Sequence, residues 1–187
     1  IKARIGWRGL KSSEYTNEGP YLIAAKHIVN DNISWETCDH LTRERYDESH
    51  EIQLKQGDTI LSKDGTIGRV AYIDNLPGLT TINGTMMLIR PLETVFENKY
   101  IYYYLLSDKF QNLVKSKVAG STIAHIFQRD MNQLNITIPP KKEQRQLLKI
   151  FESQDQIISD LYNYNWKLNL LKKKLTDELI SGNLRLK

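Results

Sequence analysis

Cysteine is almost absent: Cys38 stands alone among 187 residues. No internal disulfide can form, and a reducing, cytoplasmic setting is expected. Histidine is scarce too, with four in the chain, and only Cys38 and His40 make a short ligand pair, with His27 and His50 nearby. A closed structural zinc site needs two such pairs, so no metal and no cofactor is expected. No apolar run is long enough to cross a bilayer, and neither a membrane partner nor a secretory leader is expected. The chain opens on Ile1 rather than methionine, which leaves a fragment of a longer protein as one expectation.

Catalytic signatures are missing as well. No Gly-x4-Gly-Lys-Ser/Thr loop is present to cradle a phosphate. Gly65-Thr66-Ile67-Gly68 is too short for a dinucleotide fingerprint and sits in a hairpin. Pro139-Pro140 follows Ile138 and precedes Lys141, so it is not the Asn/Asp-Pro-Pro-Tyr/Phe run of DNA amine methylation. Glu51 to Lys55 has the wrong spacing for a metal-dependent nuclease. Asp58 and Asp64 flank a strand and could be pictured as metal ligands, yet hairpin and turn positions account for both without one. The chain is therefore not expected to be an enzyme by itself.

An apolar content of 40% is enough for a core, and 26% charged residues is ordinary. The net charge of +4 is unevenly placed. Residues 1–139 hold 16 basic and 16 acidic side chains, whereas residues 140–187 hold 10 and 6. Within the first part, residues 36–58 are acid-rich. Residues 99–129 are base-rich, with Lys99, Lys109, Lys115, Lys117 and Arg129 against Asp108. One basic face could hold a phosphate backbone; two ordinary solvated faces would look the same at this stage.

Along the chain, Gly6, Gly9, Gly19 and Pro20 punctuate residues 1–20 as loop, and Tyr21 to Ala25 reads as a strand. Asn30 to Asn32 is a turn, followed by a short strand at Ile33 to Trp35, and Thr42 is placed to cap a short helix to Asp47. Asp58 to Ser62 and Gly68 to Ile73 read as a hairpin across Lys63-Asp64-Gly65-Thr66, and Thr80 to Arg90 as one or two further strands. Asn98 to Val114 has helical spacing, Lys115 to Ser121 reads as a basic loop, Asp130 to Leu134 as a short turn or helix, and Asn135 to Ile138 as an edge strand.

After Pro139-Pro140 comes an uninterrupted amphipathic helix to about Ile180, roughly 60 Å long at about 1.5 Å per residue. Leu147, Ile150, Gln154, Ile157, Leu161, Tyr164, Leu168, Leu171 and Leu175 recur every three and four residues, the seam of a coiled coil. Phe151, Ile158 and Leu179 widen it, and Gly182 is a natural stop. A lone helix cannot bury that seam. The expected fold class is α+β: a β-rich globular domain, residues 1–139, followed by a single long coiled-coil helix with a short tail, residues 140–187, that dimerises through the seam.

Several segments acquire a common meaning by their order. They are Pro20-Tyr21-Leu22-Ile23 with Lys26-His27-Ile28; Gly57 to Gly68; Tyr100 to Leu106; Gly120-Ser121-Thr122 with His125-Ile126; Ile136 to Pro140 with Glu143-Gln144; and Leu175 to Arg185. With these the chain resembles half of a DNA-specificity (S) subunit of a type I restriction–modification system: one target-recognition domain and one spacer helix. The resemblance implies a non-catalytic subunit that reads double-stranded DNA, two such domains lying at opposite ends of paired antiparallel helices. It also implies DNA methyltransferase subunits on the helices and domains, with restriction (motor-nuclease) subunits joining the complex. One domain and one helix make this chain either a fragment or a half subunit that pairs with a second copy. A coiled-coil adaptor that binds protein only is the rival reading.

The residues expected at the DNA are Arg8, Lys11, Ser12 and Ser13 of the N-terminal loop; Lys26 and His27; Lys63 and Arg69 of the hairpin; and Lys115, Lys117, Ser121, Thr122 and His125. Lysines and hydroxyls suit phosphate and groove contacts; Arg8 could grip guanine, and Glu14 could accept from cytosine. Alternatives stand beside several of these. Lys63 and Arg69 could merely solubilise a hairpin, His125 could satisfy a buried hydrogen bond, and Trp7 and Leu10 could pin the N-terminal loop to the core.

Overall fold

The strand Met86-Met87-Leu88-Ile89 has no polar face, because both of its faces are covered. In the computed structural model, which describes residues 2–7, 9–119, 125–132 and 136–185 with the side chains of 117–119 and 132 excepted, β9 (Met86–Arg90) is an inner strand of a four-stranded antiparallel sheet. Its neighbours are β1 (Lys2–Ile5) and β6 (Thr59–Ser62), and β7 (Val70–Tyr72) pairs with the far side of β6. The register sets Ile5 against Met87, Thr59 against Ile89, and Leu61 against Val70.

The alternation of strand side chains then sorts the core. Ala3, Leu61, Val70, Met87 and Ile89 pack on one face with helical residues Ile101, Leu105, Phe110 and Val114. These come from α2 (Asn98–Leu106) and α3 (Asp108–Ala119), and Met131 joins them from the short α4 (Gln128–Asn132). Ile60, Ala71, Met86 and Leu88 point the other way, onto Ile23, Ile28, Ile52 and Ile82. That second layer is a mixed sheet: β2 (Tyr15–Ile23) lies between β5 (Asp39–Leu41), antiparallel, and β8 (Thr80–Ile82), parallel. A two-residue hairpin, β3 (Ile28–Val29) and β4 (Asn32–Ile33), turns through Asn30 and Asp31 at φ 49° and 59°, the left-handed pair that matches strand twist. Thr42 caps α1 (Arg43–Asp47), its hydroxyl accepting from the Arg45 N–H at 3.3 Å.

Four expectations need correction. Residues 1–20 are loop only between β1 and β2: both strands lie largely there, because neighbouring strands supply their backbone partners despite the glycines. Asn98 to Val114 is two helices, since Ser107 ends α2 and its Oγ accepts from the Phe110 N–H at 3.4 Å to start α3. Lys115 to Ala119 continue α3 rather than forming a basic loop. Residues 136–138 of the expected edge strand form no strand, and Asn135 lies outside the described residues.

By its contacts the chain divides into Ile1–Gln144 and Arg145–Lys187. In the first unit, the side chain of Gln144 is fully buried at the foot of α5 (Lys141–Ile180). It accepts from the Glu97 N–H at 2.9 Å and donates to the carbonyls of Val95 and Pro139 at 2.9 and 2.8 Å. In the second unit, helix residues from Ile150 to Ile180 keep their apolar side chains largely in water, with Leu161 61% and Leu168 47% exposed. Gly182, at φ 75°, ends the element, and the Leu184 N–H returns to the Glu178 carbonyl at 3.0 Å.

Among the described residues Asp58 is the one buried carboxylate. Both of its oxygens are gripped by Arg90, from Nε at 2.7 Å and Nη2 at 2.8 Å, and it also accepts from the Lys55 N–H at 2.8 Å. This accounts for Asp58 without a metal. Asp58→Asn should strand the Arg90 guanidinium and cost about 3 kcal/mol, read as a lower midpoint in denaturant unfolding. A loss below about 0.5 kcal/mol, the usual size for an uncoupled surface change, would contradict this role.

Candidate nucleic-acid interface

Segments far apart in sequence meet around one turn, Asn83 to Thr85. The Gly6 N–H reaches the Met86 carbonyl and the Trp7 N–H the Ile82 carbonyl, both at 3.0 Å. A side chain at Gly84 would strike the Trp7 carbonyl oxygen, so the crossing requires glycine. The Thr85 carbonyl accepts from the Lys63 N–H at 2.9 Å, and the Lys63 carbonyl accepts from the Ile126 N–H at 3.1 Å. The Thr85 hydroxyl accepts from the Ala25 N–H at 3.4 Å. The N-terminal loop, the Lys26 segment, the hairpin connection and the His125 segment are thus neighbours.

Within the N-terminal loop both readings hold in part. Trp7 and Leu10 pack on the core, and the Arg45 guanidinium lies 5.6 Å from the Trp7 ring centroid. Glu14 ion-pairs with Arg45 and accepts from the Lys11 N–H at 2.8 Å. That backbone hydrogen bond, then Arg45, holds the Glu14 carboxyl below its ordinary range. Glu14 is therefore spent on shaping the loop and is not free to meet a cytosine. Lys11, Ser12 and Ser13 remain exposed.

His27 and Lys63 are corrections. His27 is 1% exposed, and its Nδ1 accepts from the Ala24 N–H at 3.0 Å, which leaves the ring proton on Nε2, 3.6 Å from Asp39. Burial pushes its pKa down, more than Asp39 pulls it up. It is a core histidine. Lys63 is 4% exposed and ion-paired to Asp64, whose other oxygen lies against His125 Nδ1; the carboxylate pictured as a metal ligand is a bridge between these two side chains. Its neighbour Lys26 is exposed and ion-pairs with Asp39 at 2.9 Å.

Arg69 works on its own backbone surroundings. Its Nη1 donates to the carbonyls of Ala25 and Ile28 at 3.2 and 2.7 Å, pinning the β3–β4 hairpin beside a cavity of about 310 Å³. Lys115 is exposed on α3, one turn beyond Gln111, whose Nε2 donates to the Gly68 carbonyl at 3.0 Å. Arg8, Ser121 and Thr122 lie outside the described residues, as does the side chain of Lys117.

Phe127 was missed by sequence reasoning, and Arg129 entered it only as one of the cations of the base-rich stretch 99–129. Phe127 and Arg129 continue the surface begun by His125: the Phe127 ring is 44% exposed, 4.4 Å from the His125 ring, with the Arg129 guanidinium 4.5 Å from its centroid. The available signal was His125-x-Phe127-x-Arg129, an aromatic interleaved with basic groups. Cys38 offers no nucleophile, because burial foremost, then Asp39 and Glu36, pushes its thiol up to about 12. Among the described residues no group of three or more His, Cys, Asp or Glu side chains could hold a metal, and no helix is long and apolar enough to cross a membrane.

The family described as type I restriction modification DNA specificity domain matches residues 6–172. The type I restriction enzyme MjaVIII specificity subunit of Methanocaldococcus jannaschii is 26% identical over 132 residues, 70% of this chain and 30% of that protein. A chain solved for the complex assembly and conformational transition of the type I R-M system shares the fold with a TM-score of 0.67 and 18% identity, over 92% of this chain and 40% of that one. The HsdS subunit from Thermoanaerobacter tengcongensis gives a TM-score of 0.61 and 17% identity, over 98% and 43%. The chain spans 26% to 42% of the length of the curated relatives it matches.

The buried His27 makes stability pH-dependent. Unfolded, its imidazole takes up a proton near its ordinary 6.5; folded, it does so at lower pH. Between the two values the unfolded state binds more protons, so stability should fall as pH drops from about 7.5 towards about 5. His27→Gln should flatten that limb of the stability–pH curve measured by denaturant unfolding. An equal slope in both proteins would contradict a depressed folded-state value.

Proposed function

The chain belongs to the type I restriction–modification DNA specificity family, and from that premise we propose that residues 1–139 read duplex DNA while residues 140–187 join this domain to a second one. The observation that carries the reading is the match of one family description across both body and helix, together with an apolar helix seam left in water. The chain is a specificity element without catalysis of its own. It directs DNA methyltransferase subunits and, through the complex, restriction subunits to their sequence in the cytoplasm.

Exposed Lys11, Ser12, Ser13, Lys26 and Lys115 are the described side chains available for DNA from the initial set. Arg8, Lys117, Ser121 and Thr122 complete it on sequence grounds. Lysines set affinity through phosphates for any sequence, whereas the N-terminal loop supplies groups able to read base edges. Lys115→Ala should weaken binding to all duplexes alike and reduce the slope of log affinity against log salt by about 0.9. Unchanged affinity and slope would remove α3 from the interface.

The helix pairs antiparallel with a second copy through Leu147, Ile150, Ile157, Leu161, Tyr164, Leu168, Leu171 and Leu175. Leu147 is half-buried in the single chain and the rest are exposed. Each leucine moved out of water contributes about 1.5–3 kcal/mol, so several sustain a dimer. Gln154 in the seam sets register rather than adding energy. Leu161→Glu with Leu168→Glu should yield monomers in sedimentation velocity; dimers persisting at the wild-type affinity would exclude this seam.

A further inference from the structure

Of the body's phenylalanines, Phe96 and Phe110 are 5% and 2% exposed, whereas Phe127 is 44% exposed. It is not on a loose segment. Ile126 and Met131 on either side of it are buried at 4% and 3%. The Phe127 N–H donates to Asp130 Oδ2 at 2.9 Å, the Asp130 N–H returns to the Phe127 carbonyl at 2.9 Å, and Gln128 Nε2 reaches the Ala3 carbonyl at 2.6 Å. The turn is built to hold an aromatic ring in water.

Its surroundings specify a partner. The exposed Arg129 guanidinium covers one ring face, and the His125 ring is tilted 56° beside it. Asp64 orients His125 and is itself tied to the buried Lys63. An apolar ring covered on one face by a guanidinium complements a base with its neighbouring phosphate. A basic protein surface would be repelled, and an uncharged apolar one would strand the guanidinium.

We propose that Phe127 is a stacking wedge for duplex DNA: its ring enters an opened base step, Arg129 leaves the ring face to meet the adjacent phosphate, and His125 supports the other side. The inference rests on the DNA-reading role of the body and adds to it a residue that acts on base stacking rather than on base edges. Aromatic side chains inserted at base steps unstack and kink the duplex, most cheaply at pyrimidine–purine steps.

The test compares the full chain with Phe127→Ala, Phe127→Trp and Arg129→Gln on a TA-rich duplex carrying a dye at each end. Affinity comes from titration and bending from energy transfer. Phe127→Ala should weaken binding by roughly ten- to a hundredfold, lose the bend and keep the salt slope; Phe127→Trp should keep affinity and bend. Arg129→Gln should lower the salt slope by about 0.9. Thermal unfolding of the exposed-site variants should match the wild type. A Phe127→Ala chain that binds and bends like the wild type overturns the wedge. So does one that keeps DNA affinity but loses a methyltransferase subunit in co-sedimentation, which would make the ring a protein contact. If the wild-type chain binds no duplex at all, the DNA-reading role itself fails, and the wedge with it.

Discussion

A four-stranded sheet with no polar face has to be covered twice, and that constraint organises the body. Leu61, Met87 and Ile89 need one apolar layer; Ile60, Met86 and Leu88 need another. Helices α2 and α3 supply the first and the sheet around β2 the second. The loops that link the layers must then cross at the strand ends, where close backbone approach is possible only at Gly6 and Gly84. Their crossing gathers the N-terminal loop, the Lys26 segment, the hairpin connection and the His125 segment around Thr85. Surface chemistry is thus placed by a packing requirement several residues away.

Several charged groups of the body are held in pairs. Asp58 with Arg90, Asp64 with Lys63 and His125, and Glu14 with Arg45 each consume a charge that a sequence reading would offer to a ligand. What remains outward is narrower and chemically simpler: Lys11, Ser12 and Ser13 in the N-terminal loop, Lys26 shared with Asp39, Lys115, and the Phe127–Arg129 pair. Lysines and an aromatic ring are a combination suited to a polyanion of stacked bases. The helix poses the opposite problem, an apolar seam left in water, which the proposed pairing with a second copy would cover.

The parts legible in the sequence were those with local causes. The β6–β7 hairpin showed in Asp64-Gly65 and its flanking apolar runs, α1 in the Thr42 cap, and α5 in the spacing from Leu147 to Leu175. What could not be read was set by distant partners. β1 is a strand because β9 pairs with it, not through its own composition. Lys26-His27 looks like a basic pair, yet His27 turns inward to the Ala24 N–H. Lys63 looks like a surface lysine until Asp64 and His125 are placed beside it. Phe127 reads as core by residue type alone; Ile126 and Met131 take the core positions and leave it on the surface.

In the proposed pairing, residues 1–139 act as a reading head and residues 140–187 as the helix that joins it to a second copy. An isologous pair of such chains must recognise two copies of one short sequence, inverted and at constant separation. The direct measurement is selection of duplexes bound by the intact chain from a random-sequence pool, followed by sequencing. Enrichment of an inverted repeat with a fixed gap is the expected result. A pool that enriches no shared sequence, or a single unpaired motif at every salt concentration, would contradict the account.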